Sequence, residues 1–126
     1  MELADIISKA WVNIHTSTTE GIGLSILEAS ASGTPTVAYS VPGVRDAIVN
    51  GVNGLLVPNS DRNIFASSIE TIISNPKNLI RWSAKSRDAV KQFSWDKTAA
   101  SWERHLMYIT AKNKSFNRHR AIMDKS

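Results

Sequence analysis

Short apolar runs alternate with helical stretches along the first half of the chain. Apolar, β-branched and aromatic residues are concentrated in three short segments, as is typical of strands, at 11–15, 36–39 and 55–57. Between them, apolar residues recur every three or four positions, which predicts helices over 2–9, 24–32 and 44–49. This alternation predicts an α/β fold, with a parallel sheet covered by helices on both faces.

The second half of the chain is predicted to be helical. Helical spacing of apolar residues continues over 64–73, and Asn75-Pro76 has the form of an N-cap followed by proline at the first helical position. A last helix is expected from about Trp95, with an apolar stripe formed by Trp95, Ala99, Trp102, Leu106 and Ile109.

The first predicted strand, 11–15, is apolar like the interior strands of parallel sheets. Yet the chain offers three strands, whereas sheets more usually hold about five or six. We therefore expect this strand to be buried against other protein or to present an exposed, adhesive edge. The other protein would be a domain outside this sequence, a separate subunit or a second copy of the chain.

Composition narrows the class of protein. The chain has 126 residues, of which 42% are hydrophobic and 21% charged, as expected for one globular domain. No cysteine occurs, which excludes disulfides and thiolate chemistry and fits a cytoplasmic location. No apolar run approaches the roughly 20 residues needed to span a bilayer.

The net charge of +4 arises in the last residues of the chain. Residues 1–111 hold ten basic and ten acidic residues, whereas 112–126 hold five and one. A basic tail can contact anionic lipid or nucleic acid. We favour a solvated, disordered tail after a domain at 1–111, leave a peripheral membrane contact open, and expect no nucleic-acid partner.

The loop at 16–23 is the main candidate for binding chemistry. It leads from the first predicted strand into the helix at 24–32, and ligands of open α/β sheets bind beyond the carboxyl ends of strands. A helix start offers unpaired N–H groups, and glycines let a phosphate approach them. The loop therefore suits a phosphorylated ligand, although a tight strand-to-helix turn alone also explains its glycines.

Two phosphate-binding fingerprints are excluded, and two carboxylates add a different signal. The third glycine of G-x-G-x-x-G would fall at Ile26, and no Walker A run occurs. Glu28 lies one helical turn after Leu24, and Glu20 precedes the helix, so both carboxylates are placed to flank one pocket. Such carboxylates accept hydrogen bonds from the vicinal hydroxyls of ribose or a sugar. The alternative is that both are ordinary solvated acids.

The stretch EGIGLSILEASASGTPTVAYSVPG, which contains Glu20-x7-Glu28, resembles the group 1 glycosyltransferases, the glycogen-synthase-like retaining enzymes of GT-B fold. NGVNGLLV at 50–57 and FSW at 93–95 are similar to two further stretches of that family, so the resemblance covers about 1–111. It implies that this part is the second half of a Rossmann-like GT-B C-terminal domain. Thr16, Ile22 and Ser30 stand where the family pattern has proline, phenylalanine and methionine.

The resemblance also implies roles for the matched residues. Glu20 would be catalytic through contact with the donor sugar, and Glu28 would bind the ribose of the nucleotide. The remaining donor-binding positions implied by the match are Ser17, Gly21, Ile22, Gly23 and Leu24. The donor would be a nucleotide-diphosphate sugar, with no cofactor and no metal, since no Asp-x-Asp pair is present.

The motifs and the resemblance leave three alternative functions. The first is the donor-binding part of a retaining glycosyltransferase, whose acceptor domain and diphosphate-neutralising Arg and Lys lie elsewhere. The second is a non-catalytic module or the subunit of a split enzyme, acting by protein–protein association. The third, an epimerase of the same two-domain architecture, is disfavoured by the Glu-x7-Glu pattern with EGIGL.

Overall fold

The computed structural model describes the backbone of residues 2–123 and the side chains of residues 2–113. The elements in chain order are α1 (Leu3–Lys9), β1 (Asn13–His15), α2 (Leu24–Ser32), β2 (Thr36–Tyr39), α3 (Val44–Ala47), β3 (Gly54–Val57), α4 (Arg62–Ile73), α5 (Pro76–Val90) and α6 (Trp95–Met123). Each element predicted from the sequence is present. The predicted bounds differ by a few residues, chiefly in β1, which starts at Asn13 rather than at residue 11.

The strands form a parallel sheet in the order β1-β2-β3, which confirms the predicted arrangement. In the central strand, Val37 pairs with Ile14 of β1 on one side and with Leu55 of β3 on the other. Because the strands are parallel, their carboxyl ends lie at the same edge of the sheet. The loops after β1 and β2 are therefore neighbours in space.

Helices cover both faces of the sheet, as predicted. Successive residues of a strand point to opposite faces, and Val37 and Ala38 of β2 are both fully buried. Ala38 belongs to a core cluster with residues of α2 and α3, whereas Val37 packs with Phe65 and Ile72 of α4. The sheet therefore has a separate apolar core on each side.

The other described residues of this chain do not bury the first strand. Ile14, at the centre of β1, has 52% of its surface exposed, and the preceding Trp11 has 65% exposed. The cause is that β1 is an edge strand, paired only with β2 in the described part of the chain. Within this chain β1 therefore presents an exposed apolar edge, and its burial against other protein stays a prediction.

Helical spacing places Leu24, Leu27 and Ala31 on one side of α2, but these residues are not all buried. Leu24 and Ala31 are exposed, and the helix buries Ile26, Leu27, Ala29 and Ser30. The sequence LSILEASAS has small or apolar residues around most of its circumference, so the apolar spacing fits more than one face. A buried polar partner resolves the choice, because the Ser30 hydroxyl accepts a hydrogen bond from Asn53.

Asn53 joins α2 and α3 to the turn before β3. Its side chain is almost fully buried, and Nδ2 donates to Ser30 Oγ at 3.1 Å and to the Ala47 carbonyl at 2.9 Å. Its Oδ1 accepts from the Val49 N–H at 2.7 Å. Every polar atom of the amide is therefore paired inside the core, which is what burial of an amide requires.

Residues 92–123 form a unit of their own, built on α6. Four members of the predicted stripe, Trp95, Trp102, Leu106 and Ile109, have exposed side chains, and what they contact remains a prediction. The division at residue 111 and the disordered tail remain predictions too, since the side chains of 114–126 lie outside the described residues. Within the described range, no helix is both long and apolar enough to cross a membrane.

Replacing Asn53 with alanine should destabilise the fold without changing its topology. The variant leaves the Val49 N–H and the Ala47 carbonyl buried without partners, which costs roughly 2–4 kcal/mol of unfolding free energy. Urea denaturation of the full chain measures this loss. The control is Asn78→Ala on the exposed surface of α5, which should change stability by no more than about 0.5 kcal/mol. Equal losses in the two variants would contradict the role of the buried amide.

Candidate functional site

The loop at 16–23 follows β1 and is shaped by a hydroxyl at its start. Ser17 Oγ donates a hydrogen bond to the Thr19 carbonyl at 2.6 Å, a turn in which the side chain replaces a backbone donor. Ser17 thus orders the loop, and its lone pairs stay available to accept a hydrogen bond. Its predicted contact with a donor remains a prediction.

The turn after β2 supports this loop through Gly43. A methyl group at Gly43 would fall onto the carbonyl oxygens of Glu20 and Gly21, so the two turns are in backbone contact. Gly43 also has φ of +81°, in the range that disfavours residues with a side chain. Only glycine satisfies both conditions, and the position of Glu20 depends on this contact.

Helix α2 begins without a side-chain cap. Its N-cap residue is Gly23, with φ of +64°, and the Gly23 carbonyl accepts from the N–H groups of Ile26 and Leu27. By contrast, Asp61 caps α4 and Asn75 caps α5 through side-chain oxygens. The first N–H groups of α2, those of Leu24 and Ser25, have no acceptor within the helix. They form the positive end of the helix dipole beside the loop.

The backbone at the start of α2 is open to a ligand. A methyl group placed at Gly21 would meet no atom within 4 Å. The flanking side chains of Ile22 and Leu24 are 59% and 61% exposed. Glu28, one turn further along α2, is exposed as well and makes no hydrogen bond or ion pair with the described residues. These groups are therefore accessible along one side of the helix start.

Glu20 is more enclosed than Glu28 and has two neighbours. Its Oε1 accepts a hydrogen bond from the Gly21 N–H at 3.1 Å. Its Oε2 lies 3.1 Å from Nε2 of His15, the last residue of β1, and the two side chains are 28% and 15% exposed. The contact is an ion pair when the ring is protonated, but the two groups are not aligned as a hydrogen bond.

The structure therefore brings together only some of the predicted site residues. The loop backbone, Glu20 and the start of α2 lie at the carboxyl edge of the sheet, as predicted. Neither Glu20 nor Glu28 lines the cavities described for this part of the chain, so a shared pocket for the two carboxylates stays a prediction. Sequence reasoning missed Gly43 as part of the site, although a glycine in the turn after the next strand was an available signal. For His15, at the end of the first strand, the sequence leaves open a ring that lines the pocket and favours a packed or hydrogen-bonded one.

A cavity of about 640 Å³ lies away from this loop. It is lined by residues that precede β1 and β2, including Trp11, Gly33 and Pro35, together with α5 residues such as Ile80. It is thus at the amino edge of the strands, where ligands of such sheets do not bind. We assign the site to the carboxyl edge, since the open backbone donors and Glu20 are there. In the described part of the chain, no three acidic or histidine side chains come close enough to hold a metal.

A parallel sheet covered by helices on both faces, with an open helix start at its carboxyl edge, is the arrangement of a doubly wound α/β domain. The family described as "Glycosyl transferases group 1" matches residues 1–89. The chain therefore belongs to the group 1 glycosyltransferases, as the sequence motifs indicated.

Curated relatives agree with this family. The chain is 38% identical over 99 residues to a D-inositol 3-phosphate glycosyltransferase of Thermobispora bispora, a match that covers 79% of this chain and 23% of the relative. A protein of the same name from Rhodococcus erythropolis is 34% identical over 97 residues, covering 77% and 22%. The chain thus spans about a quarter of the length of the curated relatives that it matches.

Solved structures confirm the GT-B fold. The chain superimposes on a sucrose-phosphate synthase from Thermosynechococcus elongatus with a TM-score of 0.77 and 32% identity, covering 87% of this chain and 28% of the other. It also matches TarM with a TM-score of 0.73 and 27% identity, covering 79% and 20%. A third match is the pneumococcal O-GlcNAc transferase GtfA in complex with UDP and GlcNAc, with a TM-score of 0.71 and 28% identity, covering 87% and 23%.

Replacing Gly43 with alanine should displace the loop that carries Glu20. The matched control is Gly51→Ala, since Gly51 has a similar φ of +78° but a methyl group there meets no atom within 4 Å. Both variants should lose about 1 kcal/mol of unfolding free energy to backbone strain. Only Gly43→Ala should in addition shift the amide resonances of residues 16–23 in a ¹⁵N–¹H correlation spectrum. Unchanged loop resonances in that variant would contradict the contact.

Proposed function

We propose that this chain provides the donor-binding surface of a retaining glycosyltransferase that uses a nucleotide-diphosphate sugar. The observation that carries the proposal is the open, uncapped start of α2 next to the Glu20 carboxylate. Family membership supports sugar transfer, and the fold supports a ligand at this edge of the sheet.

In this proposal, each part of the surface meets one part of the donor. The N–H groups of Leu24 and Ser25 and the helix dipole bind the diphosphate, with Gly21 leaving room for its oxygens. Glu28 accepts hydrogen bonds from the ribose hydroxyls. Glu20 contacts the sugar, and its negative charge favours the positive charge that develops at the anomeric carbon as the diphosphate leaves.

The rest of the reaction requires groups outside the described residues. An acceptor domain and the cations that neutralise the departing diphosphate would come from another region or from a separate subunit. Coverage of about a quarter of the relatives' length is compatible with this division. Cytoplasmic location, independence from metals and cofactors, and retention at the anomeric carbon belong to the same proposal.

The exposed edge of β1 favours a second candidate, a module that acts by protein–protein association. Ile14 and Trp11 leave apolar surface uncovered beside an unpaired strand edge, which is a template for strand pairing. A subunit of a split glycosyltransferase would use this edge without transferring sugar itself. Co-purification of a second chain that contains an acceptor domain distinguishes this candidate from a self-contained donor-binding protein.

Donor binding is tested by calorimetry with UDP-glucose, UDP-N-acetylglucosamine and GDP-mannose. We expect weak binding of at least one donor by the full chain. Glu28→Ala should weaken that binding by about tenfold or more, since hydrogen bonds to a charged group contribute roughly 1.5–3 kcal/mol. Glu70→Ala, an exposed glutamate of α4, is the control and should bind like the unaltered chain. Unchanged affinity in Glu28→Ala would remove the ribose role.

Sugar transfer by the purified chain alone should be negligible. The reason is that the acceptor site and the diphosphate-neutralising cations are assigned to other protein. The measurement is release of nucleoside diphosphate with a panel of simple sugar acceptors, with and without candidate partner chains. Robust turnover by the isolated chain would overturn the division of the active site.

A further inference from the structure

We infer that His15 is a positioning residue, which holds the Glu20 carboxylate in the orientation that faces the donor sugar. The effect of His15 on catalysis rests on the proposed function, whereas its contact with Glu20 is a property of this chain alone. It starts from the 3.1 Å separation of His15 Nε2 and Glu20 Oε2.

The two oxygens of Glu20 have different neighbours. Oε1 is held by the N–H of Gly21, the adjacent residue, and this local bond moves with the loop. Oε2 faces the His15 ring, which belongs to a strand. His15 pairs with Ala38 in the sheet, so its backbone is fixed by the parallel ladder. The ring thus provides the one link among these contacts between the carboxylate and the rigid sheet, and rigid elements position functional groups better than loops do.

Burial explains why the ring keeps this position. Nε2 of His15 is buried and has no hydrogen-bond partner among the described residues. A buried ring nitrogen without a partner is unfavourable, and the neighbouring Oε2 is an acceptor that a small rotation would bring into line. Catalytic hydrogen bonds are often poorly aligned until a ligand binds. Donor binding beside Glu20 would therefore complete the His15–Glu20 bond and fix the carboxylate.

The first test needs no donor and uses the full chain. His15→Leu removes the ring donor, whereas His15→Gln retains an N–H group at a comparable distance from the backbone. Hydrogen exchange of the Gly21 amide, followed by NMR, reports whether Glu20 Oε1 stays in place. We expect His15→Leu to accelerate this exchange about three- to tenfold, as for partial loss of one hydrogen bond, and His15→Gln to retain protection. Exchange at Val37 in β2 should stay unchanged in both variants, and His105→Leu in α6 is the control for loss of a histidine.

A reciprocal variant covers the case in which His15→Leu does not fold. Glu20→Gln changes a loop residue and should move the ring nitrogen resonance of His15 while leaving that of His105 in place. An unmoved His15 resonance would show that the ring does not sense the carboxylate and would overturn the inference. Unchanged Gly21 exchange in a folded His15→Leu variant would do the same.

The second test separates positioning from general stability by comparing UDP-N-acetylglucosamine with UDP. Since Glu20 is assigned to the sugar, His15→Leu should lower the affinity for the nucleotide sugar about tenfold while leaving the affinity for UDP within about twofold. His15→Gln should bind both ligands with the affinities of the unaltered chain. Equal losses for both ligands would overturn the positioning role. If the unaltered chain binds neither ligand, the proposed function fails on these donors, and Gly21 exchange still decides the role of His15.

Discussion

The contact between Gly43 and the carbonyl oxygens of Glu20 and Gly21 is the constraint on which the candidate site depends. It joins the loops that follow β1 and β2, so the catalytic candidate is held by a segment about twenty residues away in sequence. Gly23 extends the constraint, because a methyl group there would lie 3.1 Å from Ile26 Cδ1 and 3.2 Å from Ala47 Cβ. The loop is therefore fixed against both the turn after β2 and helix α3.

The start of α2 shows how this scaffold leaves donors available to a ligand. Asp61 and Asn75 cap α4 and α5 with their side chains, whereas α1, α2 and α3 have no side-chain cap. Gly23 has no side chain to offer, so the first N–H groups of α2 must find acceptors outside the protein. The same glycine that fits the tight packing thus creates the positive, open helix start. In the proposed site, Gly23 therefore serves both the packing of the loop and the binding of the donor.

Local and nonlocal features differ in how well the sequence predicts them. Helices α4 and α5 follow from apolar spacing and from Asn75-Pro76, because these signals lie within the elements themselves. The parallel sheet follows from the alternation of elements. The burial of Ser30 in α2 does not follow from apolar spacing, since it depends on a bond to Asn53, a residue beyond β2. Gly43 was missed for a similar reason: its contact with the loop after β1 is set by strand register, which periodicity does not reveal.

The electrostatics of the loop limit what the described residues achieve on their own. Glu20 and Glu28 add two negative charges beside the place proposed for a diphosphate, which is itself anionic. Helix dipoles offer roughly half an elementary charge at an N-terminus, so α2 alone cannot offset that repulsion. The Nε2 atom of His15 lies 3.1 Å from the Glu20 carboxylate, so this ring is directed at the acid rather than at the place proposed for the diphosphate. The proposal therefore assigns tight donor binding to additional cations from another region or a separate subunit, so that affinity and catalysis arise together when the site is completed.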